Sequence, residues 1–176
     1  MYLAGYRCER PVIFHKNAPP SRVRGEQQDY FSNDWEYCVG FRPKDSTMYF
    51  NWPAIATEKK YKTGGHFRQR GKDGQRRKGS NYPTANLARP RDVLRVIVGG
   101  GQMGSPLAHL NEAPYPEKIV EPFVLTCAPV GGVVLDPFCG SGTTPKVAKM
   151  HGRHFIAIDN RESQVKLTKR RLKEVA

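Results

Sequence analysis

The sequence predicts an α/β fold containing a parallel strand–helix–strand unit, and three observations near its carboxyl end carry that prediction. Residues 133–136, Val-Val-Leu-Asp, form a short apolar run that ends in an acid. A turn with Gly140 and Gly142 follows, then a helix-forming stretch from about Thr144 to Met150. A second apolar run, His154 to Ile158, ends at Asp159. Strands joined through a helix must cross over, which implies parallel pairing and a right-handed connection. Open α/β sheets bind ligands beyond the carboxyl ends of their strands, and both Asp136 and Asp159 stand there.

The other elements follow in chain order. Pro11 to Phe14 and Trp35 to Phe41 are rich in β-branched and aromatic residues and read as two antiparallel strands at one edge of a larger sheet. The polar segment between them, with Pro19, Pro20 and Gly25, reads as a loop. From about Asn51 to Ser105 glycine and proline break any periodicity. Arg91 to Val98 returns to strand character before Gly99. Ile119, Val120, Phe123, Val124 and Cys127 recur at helical spacing, so a helix is expected that starts near Pro122 or is kinked by it. The last fifteen or so residues read as a basic amphipathic helix with Val165, Leu172 and Val175 on its inner face.

Composition narrows the class. The chain has 176 residues, enough for one domain with a real core, yet only 38% are hydrophobic. The net charge of +13 favours a polyanionic partner. Between Glu58 and Arg95 twelve Lys and Arg stand against three acids, interspersed with Tyr61, Phe67 and Tyr82. Cations for phosphates and aromatics for bases are what a nucleic-acid-binding insertion carries. Its candidate contacts are Lys59, Lys60, Lys62, Arg68, Arg70, Lys72, Arg76, Arg77 and Lys78. Cys8, Cys38, Cys127 and Cys139 are scattered with no Cys-x-x-Cys pair, which argues against a metal site or a disulfide framework. With no apolar run of about 18 residues and no signal-peptide core, a cytoplasmic protein without a membrane partner is expected.

The glycine turn admits three ligands. A phosphate-binding P-loop needs lysine directly after the last glycine, and Thr143 stands there. A dinucleotide turn needs a third glycine three positions after Gly142, where Pro145 stands. Asp159 suits a ribose diol, but dinucleotides and other adenosyl cofactors share that group. The residues alone therefore establish a ribose-binding fold and leave its ligand open.

Family resemblance narrows it. The string Asp136-Pro137-Phe138-Cys139-Gly140-Ser141-Gly142-Thr143-Thr144 closely resembles the S-adenosylmethionine loop of site-specific DNA amino-methyltransferases, which modify adenine N6 or cytosine N4. Residues 111–118, Asn-Glu-Ala-Pro-Tyr-Pro-Glu-Lys, resemble the segment this family places before that loop, with Asn111 and Glu112 where many relatives have His-Pro. Residues 152–172 resemble its ribose-binding strand and following helix. The amino-terminal half is similar more loosely, through Val12 to Asn17 and Trp35 to Phe41.

The resemblance implies a Rossmann-like S-adenosylmethionine-dependent methyltransferase fold, with an incomplete sheet and a basic loop-rich insertion. It implies that residues 136–143 line S-adenosyl-L-methionine, that Asp159 holds its ribose, and that Asn111, Tyr115 and Pro116 cradle its methionine end. It divides the chain into a strand pair (1–50), a basic target-recognition insertion (51–105) and a cofactor-binding portion (106–176). DNA is the implied partner, adenine N6 the favoured target on family frequency, and bacterial or phage restriction–modification the implied setting.

One part of the family pattern is missing. An exocyclic amine is a weak nucleophile because its lone pair is delocalised into the ring. The family answers with an (Asp/Asn/Ser)-Pro-Pro-(Tyr/Phe/Trp) loop that accepts hydrogen bonds from the amine while its aromatic stacks on the flipped base. The one Pro-Pro pair here, Pro19-Pro20, follows Ala18 and precedes Ser21, so no catalytic residue is assigned. In the family's motif order that loop would precede residue 1. The expectation is a truncated chain, a decayed gene such as a prophage remnant, a split enzyme completed by another polypeptide, or a protein that only binds. Loss of the catalytic strand would also expose an apolar sheet edge, so aggregation or association with a complementing partner is expected.

Overall fold

The computed structural model describes residues 5–16, 34–58, 73–75, 86–98 and 103–175. Among them nine strands fall into one three-stranded and three two-stranded sheets, with three α-helices. The α/β class and the fragmented sheet agree with the sequence expectation.

The three-stranded sheet is built from β2 (Val12–Lys16), β3 (Trp35–Cys38) and β7 (Val93–Val96). Strand β2 is central, antiparallel to β3 and parallel to β7. The expected antiparallel pair is thus present, and β7 joins the same sheet from within the 51–105 segment. The single strand expected over 35–41 is divided. Gly40 separates β3 from β4 (Phe41–Pro43), which pairs with β1 (Tyr6–Cys8) instead. The Arg42 guanidinium holds this second pair by bonding both the Glu9 carboxylate and the Ser46 carbonyl. A short pair, β5 (Thr57–Glu58) with β6 (Leu87–Ala88), completes the amino-terminal half.

Helix α1 (Glu117–Cys127) begins directly after Pro116 and carries Pro122 inside it, so the helix starts a full turn earlier than Pro122. Proline lacks the N–H that would reach the Lys118 carbonyl, a local loss the packed helix tolerates. Its Ile119 packs with Phe14 of β2 and Val96 of β7, and Tyr115 lies against the same cluster. This core ties the amino-terminal sheet to the segment before the glycine turn.

Strands β8 (Val133–Asp136) and β9 (His154–Ala157) pair in parallel, Leu135 opposite Ile156, joined by α2 (Thr143–Met150) as the sequence implied. Helix α2 packs on one face of this pair and against α1. The other face leaves Val133 60%, Leu135 60% and Ile156 54% exposed. Parallel sheets are ordinarily covered on both faces.

The last helix, α3 (Glu162–Leu172), corrects an expectation. Val165, Leu172 and Val175 are only partly buried. The inward face consists of Gln164, Leu167, Thr168 and Arg171, of which Arg171 is fully enclosed. A search for apolar periodicity passes over this face because three of its four members are polar.

Candidate cofactor-binding site

The turn between β8 and α2 is shaped by its own polar atoms. Asp136 ends β8, and its Oδ1 accepts the Phe138 N–H at 3.0 Å, folding the chain back on itself. The Cys139 N–H continues the ladder to the Ile158 carbonyl at 2.8 Å, and the Gly142 N–H closes onto the Cys139 carbonyl at 2.7 Å. Gly140 and Gly142 both take positive φ, 50° and 84°. Gly142 is also tightly enclosed, since a Cβ there would meet the Thr168 side chain at 2.7 Å. At Gly140 a Cβ would come within 3.1 Å of the Asn111 amide. In the structure their open sides face Asn111 and α3, so packing and backbone conformation impose them.

Asp159, just beyond β9, reaches across to the turn. One carboxylate oxygen accepts the Gly140 N–H at 2.9 Å and the other the Arg161 N–H at 2.9 Å. The bonds from Arg161 and then Gly140, with the nearby Arg161 charge, hold its carboxyl below the ordinary value near 3.8, against the opposing effect of desolvation. The Arg161 Nε lies 3.6 Å from the same carboxylate, whose side chain is 7% exposed, so a ligand would share an acceptor that the protein already engages.

The segment before α1 forms a second wall. Tyr115 shares a hydrogen bond between its hydroxyl and that of Thr144 at 2.9 Å, and burial pushes its phenol pKa up, keeping it neutral. Pro116 is fully buried. The Asn111 side chain lies against Gly140, and Glu112 is within 3.7 Å of Arg161.

The structure therefore brings together Asn111, Tyr115, Pro116, residues 136–143 and Asp159. Their side chains do not all face the same way. Phe138 stands 87% exposed, whereas Cys139, Ser141 and Thr143 are buried. The Cys139 thiol is 3.8 Å from the Thr168 hydroxyl, and burial is the main cause raising its pKa. Pro137 is exposed beside Phe138. At these inward-facing positions the backbone is engaged within the protein as well, the Cys139 N–H by Ile158, the Gly140 N–H by Asp159 and the Ser141 carbonyl by Arg171.

Sequence reasoning passed over the residues beneath the turn. The Thr168 hydroxyl donates to the Gly140 carbonyl at 3.0 Å. Arg171 donates from Nη1 to the Ser141 carbonyl at 3.1 Å, to Ser141 Oγ at 3.1 Å and to Thr143 Oγ1 at 3.0 Å. Its Nη2 bonds Glu117 Oε1 at 2.9 Å, and Glu117 lies 3.0 Å from Lys146, which pairs with Glu174 at 2.9 Å. The spacing of Gln164, Thr168 and Arg171 along one helix face was the available signal.

The nine candidate DNA contacts, Lys59, Lys60, Lys62, Arg68, Arg70, Lys72, Arg76, Arg77 and Lys78, lie outside the described residues. Of the same stretch, Arg89 is seen over the Trp52 ring, 5.0 Å from its centroid. His15 of β2 lies 3.2 Å from Asp34.

Comparison with known proteins bears on what this arrangement is. The chain is 34% identical over 89 residues to type II methyltransferase M.ScaI of Streptomyces caespitosus, a match covering 49% of this chain and 29% of the relative. It is 46% identical over 61 residues to type II methyltransferase M2.LlaDCHI of Lactococcus lactis subsp. cremoris, covering 35% of this chain and 23% of the relative. Among solved structures, the cytosine-N4-specific PvuII DNA methyltransferase superposes with a TM-score of 0.59 at 15% identity, over 92% of this chain and 49% of its own. M1.HpyAVI superposes with a TM-score of 0.57 at 20% identity, over 96% of this chain and 61% of its own. The matches thus span under a third of these curated relatives and about half to three fifths of the solved chains. The family model N6_N4_Mtase, described as DNA methylase, matches residues 6–170, nearly the whole chain, and the chain belongs to that family.

Proposed function

We propose that this chain is the cofactor- and DNA-binding portion of an S-adenosylmethionine-dependent methyltransferase acting on an exocyclic amine of a DNA base. The observation that carries the reading is the convergence of Asp136, Asp159, Asn111 and Tyr115 on one glycine turn at the carboxyl ends of two parallel strands. The residues fit part of the cofactor's chemistry. S-adenosylmethionine has an ammonium, a carboxylate, a sulfonium and a ribose diol, and the two acids at adjacent strand ends complement its cations and its diol. When bound, the cofactor supplies an electrophilic methyl group. Asp159 would hold the ribose, and Asp136 and the exposed Phe138 would line the rest of the cofactor. Tyr115, kept neutral, adds no competing charge. A matched solved structure, M1.HpyAVI, was determined as a complex with S-adenosylmethionine, which supports a like ligand on the shared fold.

Calorimetric titration with S-adenosylhomocysteine tests this. The chain should bind, and Asp159→Ala should abolish binding. A folded protein that gives no heat of binding sinks the reading.

The basic stretch 59–95, within the 51–105 segment, is proposed to grip DNA through phosphates. Its affinity for duplex DNA should then fall steeply and linearly on a logarithmic salt scale. A flat response refutes it. Adenine N6 is the favoured target on family frequency.

The sequence has no (Asp/Asn/Ser)-Pro-Pro-(Tyr/Phe/Trp) segment, so the loop that activates the amine would come from polypeptide outside it, in a longer chain or in a separate subunit; the second reading is a DNA-binding subunit or remnant without catalysis. Among the described residues Val133, Leu135 and Ile156 stay exposed on the β8–β9 face, which supports a covering segment from this protein or another. Light scattering after gel filtration should find the isolated chain self-associated. A monodisperse, stable monomer argues against that. Methyl transfer restored by adding a polypeptide with the Asp-Pro-Pro-Tyr loop favours the split enzyme over the remnant.

A further inference from the structure

Arg171 is 0% exposed, an unusual place for a cation. Burying an arginine is unfavourable unless its charge and its donors are matched. Here Glu117 matches the charge, and the donors go to the turn at Ser141 and Thr143. Only Nε has no partner among the described residues. The guanidinium therefore joins the two walls of the site. Glu117 follows directly on Tyr115 and Pro116, while Ser141 and Thr143 flank Gly142.

We propose that Arg171 is a positioning residue for the cofactor site, fixing the glycine turn against the 111–117 segment through its fork of hydrogen bonds. The proposal rests on the cofactor reading above. A simple structural role is the competing account, because any buried ion pair affects stability. The geometry separates the two. Lysine keeps the charge but has no planar fork to span Glu117 and the Ser141 carbonyl together. The pair Arg171→Met with Glu117→Gln removes one positive and one negative charge, leaving Lys146 balanced by Glu174. Replacing a buried ion pair by neutral groups of similar size is often tolerated. That double variant should keep its fold while the turn loses its support.

The test uses the full chain with S-adenosylhomocysteine as the probe, measured by calorimetry, thermal melting and hydrogen exchange. The double variant and Arg171→Lys are expected to melt cooperatively and bind about tenfold or more weakly. That change corresponds to roughly the loss of one hydrogen bond to a charged group. Amides of residues 140–144 should exchange faster, while those of β2 and β7 stay as protected as in the parent. Parent-level affinity in either folded variant overturns the proposal. Weakening that only tracks the unfolded fraction, or failure of both variants to fold, also overturns it, because the role is then structural. If the parent chain itself does not bind, the cofactor reading fails first, a result distinguishable from a parent that binds and variants that bind equally.

Discussion

Gly142→Ala is expected to destabilise the protein by about 2–5 kcal/mol and to remove binding at the turn. Two causes add. The residue has φ of 84°, where any Cβ is strained by about 1–2 kcal/mol. The new Cβ would also lie 2.7 Å from Thr168, the side chain that bonds the Gly140 carbonyl. Gly131→Ala separates the causes, because φ there is 75° and a Cβ would meet nothing within 4 Å. Urea denaturation of both variants should show a clearly larger loss at position 142. Equal losses would mean that conformation alone requires the glycine and that contact with α3 is immaterial.

Lys146→Met is expected to be the second most damaging change, at about 2–3 kcal/mol. The lysine is 7% exposed between the carboxylates of Glu117 and Glu174 and also donates to the Gly104 carbonyl at 3.1 Å. Removing it leaves two acids facing an apolar side chain. The loss stays below that of a fully dry ion pair for two reasons. Glu174, at 33% exposure, can rehydrate, and Glu117 keeps Arg171. Hydrogen bonds from Lys146 and Ser105 lower the Glu174 pKa although its burial opposes them, so this variant should also raise it. A midpoint in urea unchanged from the parent would show that the charge network contributes nothing net.

Much of the fold could be read from the chain because the strongest signals are local. Strands β8 and β9, the helix between them and the helix around Ile119 each carry their own periodicity and glycine or proline boundaries. The division of 35–41 into β3 and β4 could not be read that way. The residues suit a strand throughout, and only pairing with β1 draws Phe41 away from β2. The inward face of α3 was missed for a related reason. Thr168 and Arg171 are buried by partners about thirty residues away, and pattern reading assigns polar residues to solvent.

By itself the sequence determined the α/β class, the glycine turn, the acids at the two strand ends and the family's cofactor-loop pattern. These depend on residue type and spacing, which the chain carries wherever it folds. Only the tertiary structure decided which way each site residue points and what supports the turn. Cys139, Ser141 and Thr143 face inward and Phe138 outward because α3 presents Thr168 and Arg171 beneath the loop. A buried arginine is stable only where an acid and several acceptors converge on it. That convergence joins α1, the turn and α3, segments whose contacts exist only in the folded chain.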